Sequence, residues 1–383
     1  MKFLKNINPI YYFLIFVFFI GILPKFIQMF IILLLCFLII LKNKHLYLSK
    51  KISPFIVYSF IHFFSICVYC MSHDFNRFYA GINTFLLWVI GVFLFSYIQS
   101  DDFNIDLNFV KKISFINIII IVFISILMLF CLRLNINISL FSRNLIGVDW
   151  INGIKQSRLL GFLEYSNLFV LYFFLLHPFA LDFVKKEYNL IFFFFFLIIS
   201  IIPIYLTNSR SGLLLLILYY LLIFFKITQK NKKYRKIFCF IFLCSLVILL
   251  ICSYKKIYSL IFNVIYSRQG SNSMRLSIYK QSITKCVRES VIWGIGIKEY
   301  IGNYPLGSHS TFIGFFYKAG ILGLLFGVVG FLILFYFIFK KQNLIYTVSF
   351  LCLVCTLTIE DLDGANWIII LFFIIQSIYI KGE

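Results

Sequence analysis

The stretch Lys111-Lys-Ile113-Ser-Phe-Ile-Asn117-Ile-Ile-Ile-Ile-Val-Phe-Ile-Ser125-Ile-Leu-Met-Leu-Phe-Cys-Leu132-Arg133 decides the class of this chain. Two lysines open it and one arginine closes it, with no charge between. The uncharged run 113–132 has the length of a helix that crosses the hydrocarbon core, about 20 residues. The same reading, applied outward, predicts about twelve spans. They lie near 9–23, 26–41, 54–71, 79–98, 113–132, 167–183, 189–206, 212–225, 237–253, 311–339, 343–358 and 367–380. Segment 311–339 is longer than one crossing needs, so part of it is expected outside the bilayer. Lys2 and Lys5 precede the first run without a small-residue cleavage site, so an uncleaved first span is expected.

Composition agrees. Of 383 residues, 62% are hydrophobic, 13% are charged, 51 are Phe and only six are Pro. No soluble fold of this size can hide so much apolar surface, and disorder, collagen and a disulfide scaffold are excluded as well. The formal charge of +21 suggests nucleic acid until the charges are placed. The expected fold class is an all-α polytopic integral membrane protein, one membrane domain over 1–383.

Lys and Arg set the orientation. With the N-terminus inside, nineteen of them fall in internal segments, among them Lys50, Lys51, Lys111, Lys112, Lys185, Lys186 and Lys381. Only Lys25, Arg77 and Arg210 fall in short external loops. Twelve more occupy two long external loops, 133–166 and 254–308, where the rule counts for little. Both termini are expected to be cytoplasmic. Arginine departs from this pattern, because eight of nine are external and only Arg235 is internal. Lysine suffices to hold a loop inside, whereas a planar fork suits phosphate or carboxylate. For most of the eight, a solvated side chain is explanation enough.

The ten cysteines form no framework: nine lie in spans, and only Cys286 is external. The Cys67/Cys70 and Cys352/Cys355 pairs sit on apolar helices without a nearby His or acid and read as packing.

External polar residues gather in four places. Arg158-Leu-Leu-Gly161 with Asn167 closes the first long loop. Thr207-Asn-Ser-Arg210-Ser-Gly212 turns between two spans. The second long loop contains an amphipathic stretch around Arg275, then Trp293-Gly-Ile-Gly296, then Gly307-Ser-His309-Ser310-Thr311. Glu360-Asp361-Leu-Asp363-Gly364 joins the last two spans. Arg210, flanked by apolar spans, either snorkels to headgroups or meets an anion. Arg275 either faces water and lipid phosphate or enters a site. His309 is the histidine placed for chemistry, ahead of a helix N-terminus that favours its neutral, proton-accepting form. His73 is a weaker second candidate, and His62 and His177 read as packed within spans. The acidic cluster either holds a divalent metal on a diphosphate or orients an Arg or His, and the orienting role is favoured.

In this order the pieces resemble the O-antigen ligase and O-antigen polymerase superfamily of bacterial envelope glycosyltransferases. The matching residues are Arg158-x-x-Gly161 with Asn167, Asn208-Ser-Arg210-Ser-Gly212, Arg275, Trp293-Gly-Ile-Gly296, and Leu306-Gly-Ser-His309-Ser-Thr through Tyr317-Lys318-Ala-Gly320. The resemblance runs from about 150 to 370. It implies a GT-C-like bundle of about twelve helices with a large periplasmic loop, residing in the bacterial inner membrane. It also implies transfer of a glycan from an undecaprenyl diphosphate carrier, with no cofactor and no metal. Ser310 stands where ligases commonly have Asn, and the following Tyr-Lys-x-Gly run looks more like polysaccharide polymerases.

The expected reaction joins a carrier-linked glycan to a hydroxyl of another carrier-linked repeat unit, with inversion at the anomeric centre. Arg210 and Arg275 grip the diphosphate and His309 takes the hydroxyl proton. Arg158, Asn167, Ser310, Lys318, Asp361 and Asp363 bind substrate or hold those groups. The expected partners are an undecaprenyl-diphosphate-linked oligosaccharide, the bilayer and a chain-length regulator, and no nucleic acid. A ligase acting on the lipid A core is the alternative. From another class, a flippase or exporter of lipid-linked oligosaccharide has the same number of spans, but it usually places its ionisable groups near the midplane.

Overall fold

A computed structural model describes residues 8–42, 47–72, 78–151, 154–229, 269–302 and 304–382. Helices occupy eleven of the twelve expected positions, and the remaining one, 237–253, lies outside the described residues. So do His73, Arg77, Arg235, Arg268 and the start of the second long loop. In order, the helices are α1 (Pro9–Ile22), α2 (Lys25–Lys42), α3 (Ser53–Ser72), α4 (Phe78–Gln99), α5 (Leu107–Arg133) and α6 (Leu168–Glu187). They continue as α7 (Leu190–Ile199), α8 (Ile201–Leu206), α9 (Arg210–Gln229), α10 (Gln269–Glu289), α11 (Thr311–Lys340), α12 (Leu344–Leu357) and α13 (Asn366–Gly382). Among the described residues, six helices are long and apolar enough to cross a membrane, and several apolar helices are shorter. The expected span 189–206 is two helices, α7 and α8, divided at Ser200.

Local chemistry sets the helix starts. Pro9 sits in the first turn of α1 behind Asn8, whose side chain accepts from Ile10 N at 3.1 Å. Asp106 accepts from Phe109 N at 3.0 Å to cap α5, and Asn189 from Phe192 N at 2.9 Å to cap α7. The core forms around α13, whose residues 366–380 are all buried. It packs on α4, α1 and α6, with Trp367, Trp88, Phe373 and Tyr172 among the large side chains lost from the surface.

The all-α reading omitted three short hairpins. The first long loop folds as β1 (Ser139–Leu140) with β2 (Arg143–Asn144), and β3 (Ile146–Ile151) with β4 (Ile154–Leu159). In the second hairpin Gly147 faces Arg158 and Asp149 faces Gln156. A third hairpin, β5 (Tyr300–Ile301) with β6 (Tyr304–Pro305), follows in the second long loop.

The over-long segment is not one continuous helix. α11 covers 30 residues, but Ala319 (φ −136°, ψ 16°) and Gly320 (φ 65°, ψ −161°) are not helical, so it is two helical pieces. A break inside a helix frees backbone groups that an apolar interior cannot solvate. Residues 291–296 supply the partners. Ile295 N donates to Tyr317 O (2.7 Å), Gly296 N to Lys318 O (3.0 Å), and Ile321 N to Val291 O (2.8 Å). The Trp293-Gly294-Ile-Gly296 motif is therefore a backbone insert between α11 and α3. A Cβ on Gly294 would lie 2.4 Å from Gly320 N, and one on Gly296 2.7 Å from Ile66 N. His62, expected to be packed, bonds Gly296 O through Nε2 at 3.0 Å.

Candidate functional site

Every described connection expected to be external converges on one end of the bundle, where a cavity of about 830 Å³ opens. Its walls come from the α1–α2 turn (Lys25), α4 (Asn83, Thr84), the approach to α6 (Tyr165–Asn167) and α10 (Met274, Arg275). Lys298, Ser308 and His309 from the second long loop and residues 360–366 complete it.

The start of α11 organises the centre. Ser310 is its N-cap, accepting from Ile313 N at 3.4 Å. Thr311 N and Oγ1 both donate to Glu360 O, at 3.1 and 2.8 Å, and Leu362 N donates to Thr311 Oγ1 at 2.9 Å. These bonds fasten the acidic turn to the helix that follows His309. His309 itself is left-handed (φ 61°), and its carbonyl accepts from the Tyr279 hydroxyl. Tyr279 lies one turn beyond Arg275 on α10, so one helix carries the arginine and steadies the histidine backbone.

The three acids face different partners. Glu360 Oε1 is 3.0 Å from Arg275 Nη2 and also accepts from the Asn167 amide. Asp361 accepts from Ser310 N through Oδ1 (3.2 Å) and faces Lys298 Nζ through Oδ2 (3.6 Å). Asp363 Oδ2 takes Lys318 Nζ at 2.5 Å and Trp88 Nε1 at 3.0 Å, while Oδ1 lies 3.8 Å from Lys298. Among the described residues no group of three or more His, Cys, Asp and Glu converges as metal ligands do.

Burial and neighbours set the protonation states. Burial pulls His309 below its ordinary value, Asp361 opposes that, and Arg275 and Lys298 reinforce it, so the ring is a neutral acceptor near pH 7. Burial drives Glu360 up to about 7, against the pull of Arg275 and Asn167. Burial also raises Asp363, but Lys318 and Lys298 outweigh it and hold the carboxyl well below the usual carboxylate range. Lys298 is lowered by burial and raised further by Asp361 and Asp363, so it stays cationic.

Of the residues singled out in the sequence, Arg158, Asn167, Arg275, His309, Asp361 and Asp363 line the cavity. Arg158 reaches Asp149 across its hairpin at 3.1 Å, and its buried Nε has no hydrogen-bond partner among the described residues. Arg210 opens α9 just outside that lining. Asn208 (φ 53°) pins its turn to the hairpin by donating to Ser157 O at 3.0 Å, and the charges of Arg275 and Asp149 act on Arg210. Ser310 and Lys318 are not among the lining side chains: the first caps α11, and the second, 3% exposed, is spent on Asp363. The acids' orienting role is divided differently from the expectation. Glu360 holds the arginine, Asp361 holds the backbone beside the histidine, and Asp363 holds two lysines.

Lys298 was overlooked. Its only signal is its place two residues beyond the Gly294-Ile-Gly296 insert, which carries it into the cavity. Asn83 and Thr84 gave no signal at all, being two ordinary polar residues in an apolar helix.

A family model described as O-antigen ligase matches residues 195–328, a stretch that includes Arg210, Arg275, Lys298 and His309. No curated protein matches the chain.

Proposed function

We propose, from the match of residues 195–328 to the O-antigen ligase family model, that the chain is a member of the O-antigen ligase and polymerase superfamily and polymerises lipid-linked polysaccharide repeat units. The donor is a glycan on undecaprenyl diphosphate, and the acceptor is a hydroxyl of another carrier-linked unit. The observation that carries this reading is the meeting of His309 and Arg275, with Arg158 and Lys298, in one cavity at the end of a membrane bundle.

The chemistry follows from that placement. The bond between the anomeric carbon and the diphosphate oxygen breaks as the acceptor oxygen attacks from the opposite face, which inverts the centre. Negative charge grows on the leaving diphosphate. Arg275 and Arg210 offer fixed guanidinium forks to it, and the free Nε of Arg158 is a further donor. His309, neutral and facing the cavity, removes the acceptor proton, a contribution of about 10²–10⁴ in rate. Asn167 and the acids position these groups. The carrier's tail stays in lipid, so the cavity belongs at the outer surface of the bacterial inner membrane. Both termini are then cytoplasmic, the bundle has twelve spans of the GT-C-like kind, and a chain-length regulator docks on it.

Purified protein given lipid-linked repeat units tests this. Chain growth that is lost in Arg210→Ala, Arg275→Ala and His309→Ala, with insertion intact, is the expected result. Arg210→Lys should also fail, because a point charge does not replace a fork. Normal ladders in all three alanine variants sink the assignment. The matched family is described as a ligase, so transfer to a lipid A core is the competing reading. A deletion strain separates them: one repeat on the core means polymerase, none means ligase.

A further inference from the structure

The cavity's cations are already answered before any substrate arrives. Arg275 pairs with Glu360, Arg158 with Asp149, and Lys298 with Asp361 and Asp363. A sugar-linked lipid diphosphate carries two negative charges, and both phosphates are diesters that do not titrate near neutrality. Seating it beside these cations means prising some of them from their carboxylates. The carboxylates differ in what they keep afterwards. Asp149 is a quarter exposed and can be solvated. Asp361 keeps its bond from Ser310 N, and Asp363 keeps Lys318 and Trp88. Glu360, with 5% of its side chain exposed, keeps, among the described residues, only the Asn167 amide once Arg275 leaves. An ionised carboxylate so buried and so poorly compensated is costly.

We propose that Glu360 is the displaceable counterion of the diphosphate subsite: the donor takes Arg275 from it, and the carboxylate takes up a proton from solvent in exchange. This rests on the reading that Arg275 grips the donor diphosphate. The exchange balances, with one guanidinium passing from carboxylate to phosphate and one O–H bond formed on Glu360. The neutral acid still accepts from Asn167, and its new O–H points a donor at the anion that displaced it. The groups facing it are Arg275 and Tyr279 from α10, Asn167 and Tyr165 ahead of α6, and the adjoining Asp361, with Arg210 beyond Arg275, while His309 lines the same cavity and interacts with Asp361 and Arg275. With Glu360 near 7 in the empty cavity, loss of Arg275 and arrival of the anion both raise it further. Affinity for the donor is therefore highest below about pH 7 and falls, by up to tenfold per pH unit, as pH rises above it.

The test is calorimetric binding of a short-chain P1,P2-dialkyl diphosphate to the detergent-solubilised full chain, at about pH 7.5 in buffers of different ionisation heat. More than about half a proton taken up per ligand is expected. Glu360→Gln should abolish the uptake and flatten the pH dependence, while His309→Gln should retain both. Binding of the probe without uptake overturns the proposal and leaves the reading of Arg275 standing. Uptake that survives Glu360→Gln and vanishes in His309→Gln also overturns it, by naming another group. Should Glu360→Gln not fold, the wild-type pH dependence together with His309→Gln decides the question. No binding at any pH from about 5.5 to 8.5 overturns the diphosphate reading itself, and this proposal with it.

Discussion

The two ends of the bundle hold their charges differently. At the end away from the cavity, lysines finish helices and tie loops. Lys381 Nζ donates to Ser100 O and, at 2.6 Å, to Phe103 O, Lys51 to Gln99 Oε1 at 2.7 Å, and Lys186 to Asn108 Oδ1 at 3.3 Å. Their partners are mostly neutral carbonyls and amides. At the cavity end the cations face carboxylates that are nearly inaccessible, Glu360, Asp361 and Asp363 among them. A lysine on a carbonyl gains local helix-end stabilisation and stops there. A guanidinium on a buried acid instead compensates a charge that the interior would otherwise penalise, so each partner depends on the other.

The comparison breaks first at the cavity. Removing Arg275 or His309 should cost at least about a hundredfold in chain growth, read as product ladders with purified protein, whereas Lys186→Gln at the far end should leave the ladder unchanged. The next largest effect concerns stability. Asp363→Ala strands buried Lys318 and should destabilise by about 3–5 kcal/mol in a denaturation series, most of which the double change Asp363→Leu with Lys318→Met should recover.

Smaller again is the backbone at the break. Gly320 occupies a region that is essentially glycine-only, and a Cβ there would lie 2.1 Å from Ile292 O. Gly320→Ala should cost about 1–3 kcal/mol or more. Gly302, also left-handed, has nothing among the described residues within 4 Å of an added Cβ, so Gly302→Ala should cost about 1 kcal/mol.

The pH profile sharpens the picture further. His309 is depressed in the empty cavity, so its neutral form persists below 6.5, and the acid limb of kcat/KM, which reports the free enzyme, should have its midpoint under that value. The smallest effect is the stability change in Lys186→Gln, under about 1 kcal/mol, because its pairing is exposed.

Much of this was legible one segment at a time. The apolar runs mark helices because hydropathy and helix length are local properties, and α5, read as 113–132, ends one residue later and begins six residues earlier than its reading. Arg158, Arg275 and His309 could be picked out by residue type and by order along the chain. The division of α11 could not. Its length hinted at something irregular, but Gly320 alone does not reveal that residues 291–296 would arrive to bond the broken turn. The bonds of Ser310 to the helix start and of Lys318 to Asp363 were not legible either, because a polar residue beside a motif shows its partners only in space.

From its residues alone, then, this chain is committed to lipid and, among the described residues, to helices at the apolar runs. Hydrophobic transfer and helix geometry act on each segment independently, so no partner need be known. Which carboxylate answers which cation was decided only in three dimensions. Glu360 finds Arg275 across 85 residues, and Asp363 finds Lys318 across 45, because the cost of a buried charge depends on the groups surrounding it in space.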